Sequence, residues 1–263
     1  MFFVSKQVAV RIFCLISDKQ KHACDIKDFT QLDLNKIEKL TLPWVSCKSY
    51  EEPDFLEICS IDKNAFVEFK NLKCLHLNIQ LKLEYDTLDF KHLINLKELC
   101  LAGAHDILDF FCSYPQNYLD LSPPPNLEKL TIVYFAIRLN SLTHLKNLNS
   151  LHLNSVDALG LSDSKAFLDF ANLKHLDFES TTVVFDCINS SWLHMRPKSL
   201  EVLKMGRIYC SNGQQPKIFF ENMPNLKQLQ VDVESLDKID LVSLKKLSSL
   251  EDLGLDVAEC SDE

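Results

Sequence analysis

The sequence predicts an α/β repeat solenoid, a stack of short strands each built from one copy of the same phrase, and three observations predict it. First, Phe69 to Leu77 places Leu72, Leu75 and Leu77 in the spacing L-x-x-L-x-L. The last two alternate as a half-buried strand requires, and Phe69 stands three residues ahead. Second, the spacing recurs from Val10, Ile37, Leu72, Leu96, Leu127, Leu148, Leu173, Leu200, Leu226 and Leu250, ten copies begun 21 to 35 residues apart. Third, Asn71, Asn95, Asn126, Asn147, Asn172 and Asn225 each precede the first leucine of a copy, and Ser199 and Ser249 hold that place in two others. Short polar side chains bond nearby backbone and suit a turn into a strand. A single such strand cannot bury its apolar face alone, so each copy needs the next.

The phrase Φ-x-N-L-K-x-L-x-L resembles that of leucine-rich-repeat proteins over nearly the whole chain. The resemblance implies a horseshoe with a parallel β-sheet on its concave face and short helices or irregular segments on the convex one. The regular family pattern also has Asn or Cys three residues beyond the final strand leucine. Here Val45, Gln80, Ala104, Phe135, Val156, Thr181, Ile208, Glu234 and Ala258 occupy those positions. Without an asparagine ladder there, an irregular horseshoe is expected.

Each element has its reason in the sequence. Residues 1–263 read as one solenoid domain of about ten irregular repeats, with 1–30 as an N-terminal capping repeat and 256–263 as a short acidic tail. Val8, Val10 and Ile12 alternate as a first strand. Residues 55–68 suit a convex helix or irregular turn. Wide gaps at 47–68 and 102–126 read as inserted loops, and the second carries Phe110, Phe111, Tyr114 and Tyr118 before Pro123-Pro124-Pro125. Those aromatics are expected to fold onto the convex core, with a protruding recognition loop as the other reading. Ser164 to Phe170 reads as a short helix. Asp240 is a candidate N-cap for a helix with Leu241, Leu244 and Leu247 on one face.

Composition narrows the function. A hydrophobic fraction of 46% is ample for a core, and the net charge is −9 with pI near 5.4. A nucleic-acid binder presents a basic face, so nucleic acid is not an expected partner, and neither is an anionic membrane. No apolar run is long enough for a transmembrane helix. Lys6, Gln7 and Arg11 interrupt the apolar start, which does not suit a secretory peptide. The ten cysteines are scattered, with no C-x-x-C pair, so a reducing compartment is expected, the cytoplasm or the nucleus.

On the concave face two columns point outward. The first runs Lys39, Cys74, Glu98, Lys129, Ser150, His175, Val202, Gln228, Asp252; the second runs Thr41, His76, Cys100, Thr131, His152, Asp177, Lys204, Gln230, Gly254. Neighbours within a column should touch, since strands lie about 4.8 Å apart. Cys74, His76 and Cys100, with Glu98 alongside, then converge. An open sheet has no loop to close around an ion, so a polar patch is expected there rather than a metal site. Ser150, His152, His175 and Asp177 also converge, but hydrolysis needs an oxyanion hole and a pocket. No phosphate-loop, dinucleotide or zinc-protease motif occurs. A flanking column, Glu38, Lys73, Lys97, Glu128, Asn149, Lys174, Glu201, Lys227 and Glu251, mixes its signs and suggests cross-strand pairing.

The expectation is a non-enzymatic domain that binds another protein through the concave face and needs no cofactor. The candidate contacts are His76, Cys100, Tyr134, His152, His175, Asp177 and Arg207, with the aromatic loop near Tyr114. Irregular cysteine-containing repeats are most similar to the leucine-rich regions of F-box proteins, although no F-box helices are seen. That resemblance implies substrate recognition for a ubiquitin ligase, with cullin-ligase components among the partners. The alternative is an innate-immune recognition repeat, because Ile61-Asp62-Lys63-Asn64-Ala65-Phe66 resembles Toll-like repeats.

Overall fold

The structure is a computed structural model that describes residues 33–42, 66–78, 87–102, 120–133, 135, 137, 142, 144–154, 158–159, 171–179, 183–185, 198–210, 217–220 and 223–257. The capping repeat 1–30, the aromatic loop near Tyr114, residues 61–65 of the Toll-like phrase and the segment Ser164 to Phe170 lie outside the described residues.

In chain order the described strands are β1 (Lys39–Leu42), β2 (Cys74–Asn78), β3 (Thr87–Asp89), β4 (Glu98–Ala102), β5 (Asp120–Ser122), β6 (Lys129–Val133) and β7 (Ser150–Asn154). They continue with β8 (Ala158–Leu159), β9 (His175–Phe178), β10 (Val183–Phe185), β11 (Val202–Met205), β12 (Ile208–Cys210), β13 (Gln228–Val233) and β14 (Asp252–Val257). Nine of them form one parallel sheet in the order β1-β2-β4-β6-β7-β9-β11-β13-β14. These are the strands of the nine copies from Ile37 to Leu250, in sequence order, as a solenoid requires.

Alternation decides which way each strand faces. In β4, β7 and β13 buried residues alternate with half-buried ones along the whole strand. Leu75, Leu99, Leu130, Leu151, Leu176, Leu203 and Leu229 pair across the sheet and are buried in one continuous core. The pairing register also reproduces both outward columns, residue by residue, from Lys39 to Asp252 and from Thr41 to Gly254.

Among the described residues, several strands of the main sheet are approached through turns of period three. In these the N–H of Phe69 bonds the carbonyl of Phe66, and that of Leu72 bonds Phe69. The same chain of bonds links Phe90, Leu93 and Leu96, then Leu142, Leu145 and Leu148, then Leu244, Leu247 and Leu250. Apolar residues therefore recur every third position through the turn and every second in the strand, which aims both series at one core. Phe66 packs at 6.2 Å from Phe69 and 5.9 Å from Phe90, centroid to centroid.

The asparagine ladder absent beyond the strands runs instead in front of them. Asn95 donates from Nδ2 to the carbonyl of Lys70 at 2.8 Å. Asn71, Asn126, Asn172 and Asn225 do the same to Asn35, Ile94, Lys146 and Lys198. Ser199 and Ser249 replace the amide with a hydroxyl on Ala171 and Pro224. Each acceptor stands one residue before the equivalent Asn or Ser position of the preceding repeat, so the ladder ties turn to turn.

Between the main strands, β12-β10-β8 form a second parallel ladder and β3-β5 a third. The sequence predicts short helices or irregular segments in these connections. The run Val183-Val184-Phe185 had the composition of a strand, but it is too short to show a period.

The Asp240 cap is present. Its carboxylate accepts the N–H of Ser243 at 2.8 Å. The helix α1 it caps is only Leu241–Leu244, and Leu241 is exposed rather than on the buried face with Leu247. Ser243 takes the inward place. Its hydroxyl donates to the Asp240 carbonyl and accepts the N–H of Phe220, so a fully buried polar group is satisfied.

Two adjacent residues test which face is inside. Leu130→Ala should cost about 3 kcal/mol through the cavity it leaves, while Thr131→Ala should stay within about 0.5 kcal/mol. Urea denaturation midpoints decide it. Reversed costs would mean the strand is turned the other way, and equal costs that its two faces are not differently buried.

Candidate functional site

The concave face is built by whatever does not fit the core. Because β2, β4, β6, β7, β9, β11 and β13 bury every second residue, the residues between them, buried Cys74 excepted, stand in rows open to solvent. Their backbone N–H and C=O groups are used in the sheet, so the side chains alone supply the face's chemistry.

At the N-terminal side His76 sits between two partners. Its Nε2 is 3.3 Å from the Cys74 sulfur and 3.1 Å from a Glu98 carboxylate oxygen. Cys74 is buried. Burial, then the Glu98 charge, push its thiol pKa up. Cys100, paired in register with His76, is raised by the same two causes. Both cysteines are free thiols.

A polar network crosses the C-terminal half. His152 Nδ1 meets Asp177 Oδ2 at 3.1 Å. Asp177 also accepts the N–H of Glu179. Glu179 in turn faces Lys204 at 3.7 Å and accepts a hydrogen bond from Gln230, two strands further on. Gln228 donates to Asp252. Arg207, just past β11, holds Asp232 through Nε at 3.1 Å.

The structure therefore joins His152 to Asp177 and gives His76, Cys100 and Arg207 neighbours of their own. His175 stands in the first column, in register with Ser150 and Val202. Tyr134 lies outside the described residues. Sequence reasoning missed Glu179 and Asp232 as members of the site. Glu179 follows the last residue of β9, where alternation no longer says which way a side chain points. The Arg207–Asp232 pair joins a connecting segment to a strand. The flanking column pairs as its mixed signs suggested: Lys73 with Glu38 at 2.7 Å, Lys97 with Glu128 at 2.8 Å, and Lys174 and Lys227 both with Glu201.

No family model and no curated protein sequence matches the chain. Solved structures do, and they share its architecture: by fold this chain is a leucine-rich-repeat solenoid. It is similar to internalin C2 of Listeria monocytogenes with a TM-score of 0.56 and 18% identity, over 95% of this chain and 92% of that one. It is also similar to TLR13, solved in complex with ssRNA13, with a TM-score of 0.51 and 23% identity. That match covers 74% of this chain and 27% of TLR13, so this chain corresponds to about a quarter of that one.

The His152–Asp177 contact carries a pH signature. The Asp177 hydrogen bond raises the pKa of His152 against the opposing effect of burial. For Asp177 burial pushes upward, but the bonds from His152 and the Glu179 N–H, with the charges of His152 and Lys204, bring it below its ordinary value. A raised histidine stabilises fully below its ordinary 6.5 and stops as pH rises through the shifted value. A lowered aspartate stabilises fully above 3.8 and stops as pH falls through its own. The pair is thus strongest between those ordinary values. In a proton NMR titration the His152 midpoint should lie above 6.5 and move down in Asp177→Asn. An unchanged midpoint would show that the contact is not made in solution.

Proposed function

We propose that this chain is a non-enzymatic protein-interaction domain that binds another protein along its concave face. One observation carries the proposal: nine parallel strands turn two registered columns of mixed polar side chains to the same side, and the core does not need them. Such a surface offers many spaced hydrogen-bond and charge contacts to an extended partner. Without a large aromatic anchor in either column, specificity would come from placement of charge: Lys39 and Lys129 toward one end, Asp177, Lys204 and Asp252 toward the other.

The same geometry supports the non-enzymatic reading. His152 and Asp177 form the pair that a hydrolase would use, but they lie half-exposed on a sheet. The strand N–H groups beside them are bonded to neighbouring strands rather than free for an oxyanion. The acidic balance weighs against nucleic acid as the ligand. Among the described residues no helix is long and apolar enough to cross a membrane.

Within this reading, the scattered cysteines and irregular repeats favour the substrate-recognition part of a ubiquitin-ligase receptor of the F-box and leucine-rich-repeat type. That receptor would work in the cytoplasm or nucleus, and the free thiols of Cys74 and Cys100 support the compartment.

The test begins with affinity purification from native cells and mass spectrometry, followed by titration of the dominant partner. Asp177→Ala combined with Arg207→Ala should weaken that partner about tenfold or more, near 1.4 kcal/mol. Lys91→Ala, on a turn between β3 and β4, should leave binding unchanged. Equal binding by all three proteins would remove the concave face from the reading. Cullin-ligase components among the co-eluting proteins would support the ubiquitin assignment, and a dominant pathogen-derived or immune-signalling partner would replace it with the innate-immune alternative.

A further inference from the structure

We propose that Cys74, His76 and Glu98 form a binding site for a divalent metal ion of the zinc class on the concave face. The sequence expectation of a polar patch rested on the lack of an enclosing loop. The atom positions change the balance.

The three ligand atoms, a sulfur, an imidazole nitrogen and a carboxylate oxygen, all lie within 4.8 Å of one another. A tetrahedral zinc holds sulfur at about 2.3 Å and nitrogen or oxygen at about 2.0–2.2 Å. These bond lengths place bound S and N about 3.5 Å apart and bound N and O about 3.4 Å apart. The observed separations are 3.3 Å and 3.1 Å, so small side-chain rotations would open the site to an ion.

Both Cys74 and Glu98 approach the same Nε2 of His76, and the Cys74 thiol is also hydrogen-bonded to Glu98, so the three groups already contact one another pairwise. An ion seated among the three groups lets each use its own lone pair.

The scaffold is rigid where it must be. Cys74 and His76 are two residues apart on β2 and share a face. Glu98 is the register partner of Cys74 on β4. The N–H groups of Cys74 and Glu98 are held by the carbonyls of Glu38 and Lys73. Sites carried on paired strands keep their geometry better than sites on loops.

Charge also balances. The Cys74 thiol must give its proton to solvent to ligate, leaving thiolate, carboxylate and neutral imidazole, two negative charges for two positive ones. Lys39, Cys100 and Lys129, the register neighbours of Cys74, His76 and Glu98, are other ionisable groups beside the site. The fourth coordination position is left for water, Cys100 or a partner's side chain.

The probe is cobalt(II), titrated into the reduced full-length chain and then displaced by zinc. One tetrahedral cobalt spectrum with a thiolate-to-metal band is expected. Even outer-shell partners cost about 10–100-fold in metal affinity, so loss of a direct ligand in His76→Ala or Glu98→Gln should cost at least that. Cys210→Ser on β12 should bind as the parent does, which separates this site from the other cysteines. Cys74→Ser should abolish the thiolate band, but because Cys74 is buried the two half-exposed ligands carry the test, with circular dichroism as the check on folding. No such spectrum, or an unchanged affinity in both folded variants, would overturn the assignment.

Discussion

Everything in this molecule depends on one repeated backbone contact. The carbonyl of Glu38 accepts two successive N–H groups from the next repeat, those of Lys73 and Cys74. Lys73 then does the same for Lys97 and Glu98, Lys97 for Glu128 and Lys129, and Glu128 for Asn149 and Ser150. The hand-over continues through Asn149, Lys174, Glu201 and Lys227. It fixes where each strand begins relative to the last. Because side chains alternate with period two, a slip of one residue would turn every leucine of that strand to solvent. The Asn and Ser ladder on the same corner reinforces that start point. The leucines supply the driving force, roughly 1.5–3 kcal/mol for each fully buried side chain, and the ladder decides which leucines receive it.

Function follows from what is left over. A strand fixed in register sends every other residue outward, and nine such strands place those residues in columns. Apart from buried Cys74, the column residues lie outside the apolar core, so the columns are free to carry contacts. The two polar groupings differ in kind. His152, Asp177, Glu179, Lys204 and Gln230 spread charge across several strands, as a surface that meets an extended partner would. Cys74, His76 and Glu98 draw three donor atoms to one point, as a surface that holds an ion would.

Most of the fold was legible because the repeat states its own geometry. The spacing L-x-x-L-x-L carries both the turn period and the strand period, so the strands from Leu40 to Leu255 and both outward columns could be placed. The convergence of His152 on Asp177 came from the same count. What could not be read depends on side-chain reach or on very short elements. Glu179 joins the network from beyond its strand, and nothing in the alternation of β9 points to it. The three residues of β10 are too few to show a period. Leu241 fitted a helical stripe by spacing, but α1 makes a single turn and the inward place went to Ser243. Asn71, Asn95 and their equivalents read from sequence as turn chemistry, whereas the tie from repeat to repeat depends on the reach of each amide to the preceding turn.

Native-state hydrogen exchange on the full chain tests the central claim most directly. The paired amides that share one carbonyl, Glu128 with Lys129, Asn149 with Ser150, and Lys174 with His175, should all exchange slowly and over a common range, as members of one continuous stack. Fast exchange confined to one of these pairs, with slow exchange on both sides, would show that the stack is broken there and that the concave columns do not form a single surface.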